Sequence, residues 1–185
     1  KISMIFQEPM SSLNPSMTCG KQVQEILLQH TSLSKTETKN ETLSLFEKVK
    51  LPNIERVFTS YPHEISGGQK QRVAIARALV TNPKIVFADE PTANLDSKTA
   101  HRIIELMHKI KQDYGTTFVF ATHDEKVIGY LRRIIRLNDG MVAADEIVKK
   151  WNEAFNEMSL DGTVLQIRKK WNEILEDDPF PEINK

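Results

Sequence analysis

The chain has 185 residues, 39% of them hydrophobic, which suits one ordinary domain with a core, or one domain plus a small appendage, and excludes two large domains. Its 25 lysines and arginines balance 25 aspartates and glutamates, so no chain-wide field draws in nucleic acid or an anionic membrane surface. A single cysteine, Cys19, excludes an intrachain disulfide framework, fits a reducing compartment, and reads as a small filler rather than a reactive thiol.

In chain order, Lys1-Ile2-Ser3-Met4-Ile5-Phe6 reads as a buried strand over residues 2–6. No signal peptide precedes it, it resembles the middle of a strand more than a natural start, and upstream sequence is expected to be missing. Gln7 to Pro15 is a loop rich in proline, serine and asparagine. Two helices are predicted next: one from about Lys21 to His30, and one from Lys35 to Lys50 on the spacing of Leu43, Phe46 and Val49, stopped by Pro52. A loop leads to Ser66-Gly67-Gly68, and Val73, Ala76 and Val80 then mark one face of another helix.

From here the rhythm changes. Lys84–Asp89 is predicted as a strand, Ser97–Tyr114 as a helix with Ile103, Met107 and Ile110 inward, Thr116–Ala121 as a strand, and Arg133–Leu137 as a short strand. Strands alternating with helices predict a parallel α/β sheet. Asn138-Asp139-Gly140 reads as a tight hairpin turn into Met141–Ala144. Beyond it, Ile147, Trp151, Ala154 and Met158, then Val164, Ile167, Trp171 and Ile174, form two apolar stripes separated by Asp161-Gly162, which predict an αα-hairpin over 146–176 and a frayed acidic end. No apolar run approaches the ~20 residues that span a bilayer, so membrane contact is expected through a partner.

Three segments carry chemistry. In Ile65-Ser66-Gly67-Gly68-Gln69-Lys70-Gln71-Arg72, consecutive glycines at a helix start let backbone amides approach a phosphate, with the helix dipole adding to the attraction; alternatively they form only a helix-starting turn. Lys84 to Thr92 is an apolar strand delivering two adjacent carboxylates, Asp89 and Glu90, to the C-terminal edge of a parallel sheet, where ligands of such folds bind. Asp96, with Ser97 beside it, can serve as a helix N-terminal residue. The third segment is Thr122-His123-Asp124 at the end of a strand; the remaining histidines, His30, His63, His101 and His108, read as surface or core residues.

Together these segments resemble the ATP-binding subunits of ABC transporters. Ser66–Leu79 is similar to the family's signature motif and its helix, with Ile65 where leucine is usual; Asp89-Glu90 looks like a Walker B motif seventeen residues beyond Arg72; Ala93-Asn94-Leu95-Asp96 resembles the D-loop; His123 matches the switch histidine; and Gln7 follows its strand as the Q-loop glutamine does. The resemblance implies Mg²⁺ held by Asp89, with the Gln7 amide reaching the metal or the attacking water. It also implies Glu90 polarising that water, His123 meeting the γ-phosphate of ATP, Ser66, Gly67, Gly68 and Gln69 binding nucleotide, and Asp96 communicating across a dimer. Met4 to Pro15 looks specifically like dipeptide and oligopeptide importers, whereas residues 84–144 look closer to lipoprotein-release and antimicrobial-export ATPases.

The implied fold is a partial P-loop NTPase core over 1–145, with a helical signature subdomain at about 8–80, a catalytic core at 81–145 and the appended helical hairpin from 146 to 185. The implied partners are a second ABC ATPase subunit, packed head to tail, and transmembrane permease subunits, without direct nucleic acid. The implied location is cytoplasmic, peripheral on the inner membrane face. One departure is plain: no phosphate loop G-x-x-x-x-G-K-[ST] occurs, since at Gly20-Lys21 Pro15 stands for the first glycine and Gln22 for the hydroxyl. The chain alone is therefore expected to bind ATP poorly. A non-catalytic module that lends its signature motif to a partner's nucleotide is the alternative. Ile147–Trp171 is similar to the terminal helices of extracytoplasmic solute-binding proteins, which do not belong after a cytoplasmic ATPase.

Overall fold

The computed structural model of the chain describes residues 1–7, 12–131, 133–138 and 141–147. It comprises two compact units, Lys1–Tyr130 and Leu131–Lys185. The first is built on three parallel strands, β1 (Ile2–Ile5), β2 (Ile85–Asp89) and β3 (Thr117–Ala121), in the order β1-β2-β3. Between β1 and β2 the chain makes a helical excursion: α1 (Cys19–His30), α2 (Lys35–Lys48), α3 (Ile54–Thr59) and α4 (Gly67–Leu79), with a 3₁₀ turn at Pro62–Glu64. Helix α5 (Ser97–Tyr114) crosses from β2 to β3, and the short α6 (Glu125–Ile128) follows β3. This is the parallel α/β arrangement expected from the strand and helix rhythm.

Helix starts are set by side chains that satisfy otherwise unpaired backbone N–H groups. Ser34 and Glu37 form a reciprocal capping box at α2, Ser34 N donating to Glu37 Oε2 at 2.8 Å and Glu37 N to Ser34 Oγ at 3.3 Å. Asp96 caps α5, its Oδ1 accepting from Lys98 N at 3.1 Å and Thr99 N at 3.0 Å. Gly115, at φ 64°, ends α5 in the left-handed conformation that glycine adopts without a Cβ clash, and its N–H returns to Lys111 O.

Helix α4 is the hub of the core. Val73, Ala74, Ile75, Ala76, Ala78 and Leu79 are all buried, so the helix is apolar nearly all round, and its alanines let neighbours approach closely. It packs against α1, α2, α5 and β1. From α5, Ile103, Ile104, Leu106, Met107 and Ile110 face inward, joining one apolar cluster with Ile5, Leu13, Phe46, Val86 and Ala88. The helical excursion and the sheet thus share a core.

Buried polar groups tie the loop after β1 into this core. Gln22 is 4% exposed, yet fully engaged: it accepts from Asn14 N at 2.9 Å and donates to Asn14 O and Met17 O, each at 3.0 Å. Arg77 Nη1 reaches Ser12 O at 2.5 Å, and Arg72 Nη1 reaches Val49 O at 2.6 Å. Cys19 is buried, and burial raises its thiol pKa to about 11, in keeping with a filler.

Four local expectations change. The strand at 2–6 is buried on one face only: Ile5 is 1% exposed, but Ile2, Met4 and Phe6 are exposed, as are Phe87 and Val119 beside them. Side chains alternate across a strand, and α4 and α5 pack on the face that carries Ile5, Val86 and Ala88. On α2 the inward residues are Thr38, Thr42, Leu45 and Phe46, with Leu43 half-buried, because the buried stripe includes threonines that bond to backbone oxygens one turn earlier. Residues 54–59, read as loop, form α3, entered from Asn53 at φ 47°. In the second unit, β4 (Arg133–Asn138) and β5 (Met141–Ile147) form the expected antiparallel hairpin with a bulge between Arg136 and Leu137. Glu146 and Ile147, expected to open a helix, are instead strand, because Ile134 and Arg133 supply their backbone partners. The expectations for residues 8–11, the Asp139-Gly140 turn and the helical hairpin beyond Ile147 lie outside the described residues.

Two outcomes follow for stability. A Cβ built on Gly68 would lie 2.6 Å from Thr99 Cγ2, a methyl on a stiff β-branched side chain. Gly68→Ala should therefore lose about 1–3 kcal/mol in urea unfolding, despite alanine's better helix propensity, and adding Thr99→Ser should restore most of it. The Thr99 side chain, followed by the Thr99 and Lys98 N–H groups, lowers the pKa of Asp96 by hydrogen bonding to its carboxylate. The cap's contribution is full above the ordinary aspartate pKa and is lost as pH falls through the depressed folded value. Asp96→Ala should lower the melting temperature at neutral pH, and the gap to the native chain should narrow in acid.

Candidate functional site

The parallel register brings the sequence's candidate residues to one edge. Ile5 pairs with Ala88 and Ala88 with Phe120, so Gln7, Glu90 and Thr122 each lie two residues beyond the same row, at the C-terminal ends of β1, β2 and β3. Asp89, the last residue of β2, pairs with Ala121. Gln7 is exposed, and Asp89 and Glu90 are half-buried. Ligands of open parallel sheets bind beyond this edge, where strands stop and loops diverge.

Glu90 is the centre of the arrangement. Its backbone sits at φ 43°, a left-handed conformation that costs of order 1–3 kcal/mol in a residue with a side chain and persists only where the surroundings impose it. Here Glu90 N donates to Ala121 O at 2.8 Å, while Ala93 N donates to Glu90 O at 2.9 Å and Leu95 N to Thr92 O at 3.2 Å, so two successive turns carry the chain from β2 to Asp96. Asn94, within the second turn, also has a positive φ, 63°, which asparagine tolerates better than most residues.

The Glu90 carboxylate receives donors on both oxygens. Thr122 Oγ1 donates to Oε2 at 3.3 Å, His123 N donates to Oε1 at 3.2 Å, and His123 Nδ1 makes a close contact with the same Oε1. Facing an ionised carboxylate, Nδ1 is the donor in that contact, and Nε2 is then the nitrogen open to another group. The pair is lopsided: the Glu90 side chain is 15% exposed and that of His123 91%. Withdrawing carboxylate oxygens from water is costly unless they are hydrogen-bonded, and here both are.

Ser66, Gly67, Gly68 and Gln69 form the first turn of α4. Ser66 N donates to Gln69 Oε1 at 2.9 Å, and Gln69 N donates to Ser66 Oγ at 3.4 Å. Ser66 and Gly67 are exposed, which leaves backbone amides of a 13-residue helix start facing solvent, a favourable place for an anion. The glycines also have a packing role that the motif alone does not reveal. Gly67 lies against Leu95 and Gly68 against Thr99, so the signature turn rests on the Asp96 turn and the start of α5. For Asp96 the capping role is observed, with Oδ1 occupied by Lys98 and Thr99 N–H groups.

Asp89, Glu90 and the Gln7 amide offer hard oxygen donors of the kind Mg²⁺ takes, usually alongside waters and substrate phosphates. Among the described residues, no three His, Cys, Asp or Glu side chains gather as a ready-made metal cage. Two other histidines engage in surface contacts: His101 with Tyr130 and with Glu105 at 3.1 Å, and His63 stacked on Tyr61. Thr122 was legible only as the neighbour of His123, and the Ala121 carbonyl, being backbone, left no signal in the sequence.

Comparison with known proteins identifies the family. The chain is 46% identical over 128 residues to the oligopeptide transport ATP-binding protein OppD of Bacillus subtilis, covering 69% of this chain and 36% of that protein. It is 44% identical over 128 residues to OppD of Escherichia coli, and 40% identical over 149 residues to the oligopeptide transport ATP-binding protein AppD of Bacillus subtilis. The chain spans 36%, 38% and 45% of the lengths of these three relatives. Among solved structures it is similar to a dimeric post-hydrolysis state of the ATP-binding cassette MJ0796 bound to ADP and Pi, with TM-score 0.69, 39% identity, and coverage of 80% of this chain and 62% of that one. It is also similar to cbiO1 of Clostridium perfringens, with TM-score 0.71, 28% identity, and coverage of 86% and 63%. The ABC transporter family profile matches residues 1–93, half of the sequence, and the chain belongs to the ABC transporter family.

Proposed function

We propose that the chain is part of an ATP-hydrolysing subunit that powers peptide transport across a membrane. The observation that carries this reading is the Glu90 carboxylate, held at the sheet's C-terminal edge by the Thr122–His123 segment, in a chain similar to oligopeptide transport ATP-binding proteins. Glu90 would orient the attacking water and take its proton. His123, with Nδ1 committed to Glu90, would offer Nε2 to the γ-phosphate. Asp89 and Gln7 would hold Mg²⁺, which when bound neutralises charge on the phosphates.

The exposed turn of Ser66, Gly67, Gly68 and Gln69 would meet the nucleotide of a second ABC ATPase subunit, and Asp96 on the abutting turn would sense that contact through its remaining oxygen. The dimeric MJ0796 structure supports such a pairing. Among the described residues no helix is long and apolar enough to cross a membrane, so transport would require transmembrane permease subunits, with this subunit docked on their cytoplasmic side. The phosphate cradle is not supplied by these residues, and activity is therefore to be sought in the full-length gene product. There, Glu90→Gln should retain nucleotide binding while slowing ATP hydrolysis by at least ~10²-fold. Undiminished phosphate release by that variant would remove Glu90 from the mechanism.

A further inference from the structure

We propose that Thr122 is a positioning residue for Glu90: its hydroxyl locks the carboxylate to the loop that carries His123. The inference deepens the reading of Glu90 as the group that activates water, and rests on it.

Two hydrogen bonds meet at the Thr122 hydroxyl, and a third holds the residue before it. It donates to Glu90 Oε2 at 3.3 Å and accepts from Asp124 N at 3.1 Å. A hydroxyl carries one proton, and with a lone pair taken by the Asp124 N–H, that proton is directed at the carboxylate. The residue before it, Ala121, accepts the Glu90 backbone N–H at 2.8 Å. The end of β3 therefore grips Glu90 twice, through a carbonyl that fixes its backbone at φ 43° and a hydroxyl that fixes its side chain.

The hydroxyl also differs in kind from the other donors. Both His123 contacts fall on Oε1, and one belongs to an imidazole 91% exposed and available to a phosphate. Oε2 is held by Thr122, which is half-buried and β-branched, so its χ1 is stiff. If His123 swings toward a phosphate, Thr122 retains its own hold on the carboxylate. Threonine suits this role, serine preserves the hydroxyl with a looser rotor, and valine keeps the shape without the hydrogen bonds.

The test compares Thr122→Val and Thr122→Ser in the full-length gene product, alone and combined with Glu90→Gln, measuring kcat, KM for ATP and nucleotide affinity. Thr122→Val should lower kcat roughly tenfold or more, the scale for losing a hydrogen bond to a charged group, with KM and affinity unchanged within about twofold. Thr122→Ser should retain most of the kcat. In the Glu90→Gln background, Thr122→Val should add little further loss, since its effect passes through the carboxylate. Unchanged kcat in Thr122→Val, serine failing as badly as valine, nucleotide affinity falling in step with kcat, or a full additional loss in the Glu90→Gln background would each overturn the assignment. Glu90→Gln alone reports separately on the underlying reading, so normal turnover there would reject that reading whatever Thr122 does.

Discussion

Parallel pairing of β1 and β3 on β2 is the constraint on which the rest of the site depends. A parallel ladder repeats without reversing direction, so three strands of separate origin in the sequence end at one edge and at one level. Gln7, Asp89, Glu90, Thr122 and His123 need no long-range instruction beyond that register. A one-residue slip of β3 would move Thr122 off the level of Glu90 and turn its inward phenylalanines, Phe118 and Phe120, to the other face. Fixing the register requires the connections, and α4 and α5 supply them by packing into the same apolar cluster as Ile5, Val86 and Ala88.

Much of this was legible in the sequence wherever one residue type has a single physical use. Helix α5 runs over Ser97–Tyr114 as predicted, because its N-terminal cap, its 3.6-residue apolar spacing and the terminal Gly115 all point the same way. The β2 strand was equally legible from its apolar run, whereas its two carboxylates, which alone read as well as solvated helix-cap residues, were legible only through their spacing from Arg72 and the Ala93–Asp96 segment that follows. Legibility failed where the deciding partner lies elsewhere in the chain. The exposed face of β1 depends on which side its neighbours cover, and Ile2, Met4 and Phe6 look the same in sequence whether covered or not. Helix α3 is short and enters through Asn53 without a side-chain cap bond, so its stability comes from Val57 in the core rather than from local signals. At the site, the residue types were read but their mutual grip was not, because Thr122 gains meaning only opposite Glu90.

The signature turn shows one stretch of sequence under two demands. Phosphate approach asks for backbone without side chains, and so does the packing of Gly68 against Thr99. The two demands coincide here, so a glycine at this position is not by itself a measure of ligand contact. Asp96 is a related case, since a carboxylate placed for a cap also stands beside the turn that would face nucleotide.

The bonds of Gln22 and Arg77 give the segment after β1 a mechanical property. Arg77 on α4 holds Ser12 O, and Gln22 on α1 holds Asn14, so the chain five residues past Gln7 is pinned to the helices. Ser12 and Asn14 stand two residues apart and are held by different helices. This short piece of backbone is therefore a strap across α1 and α4, and a shift of one helix against the other must bend it or break one of these bonds.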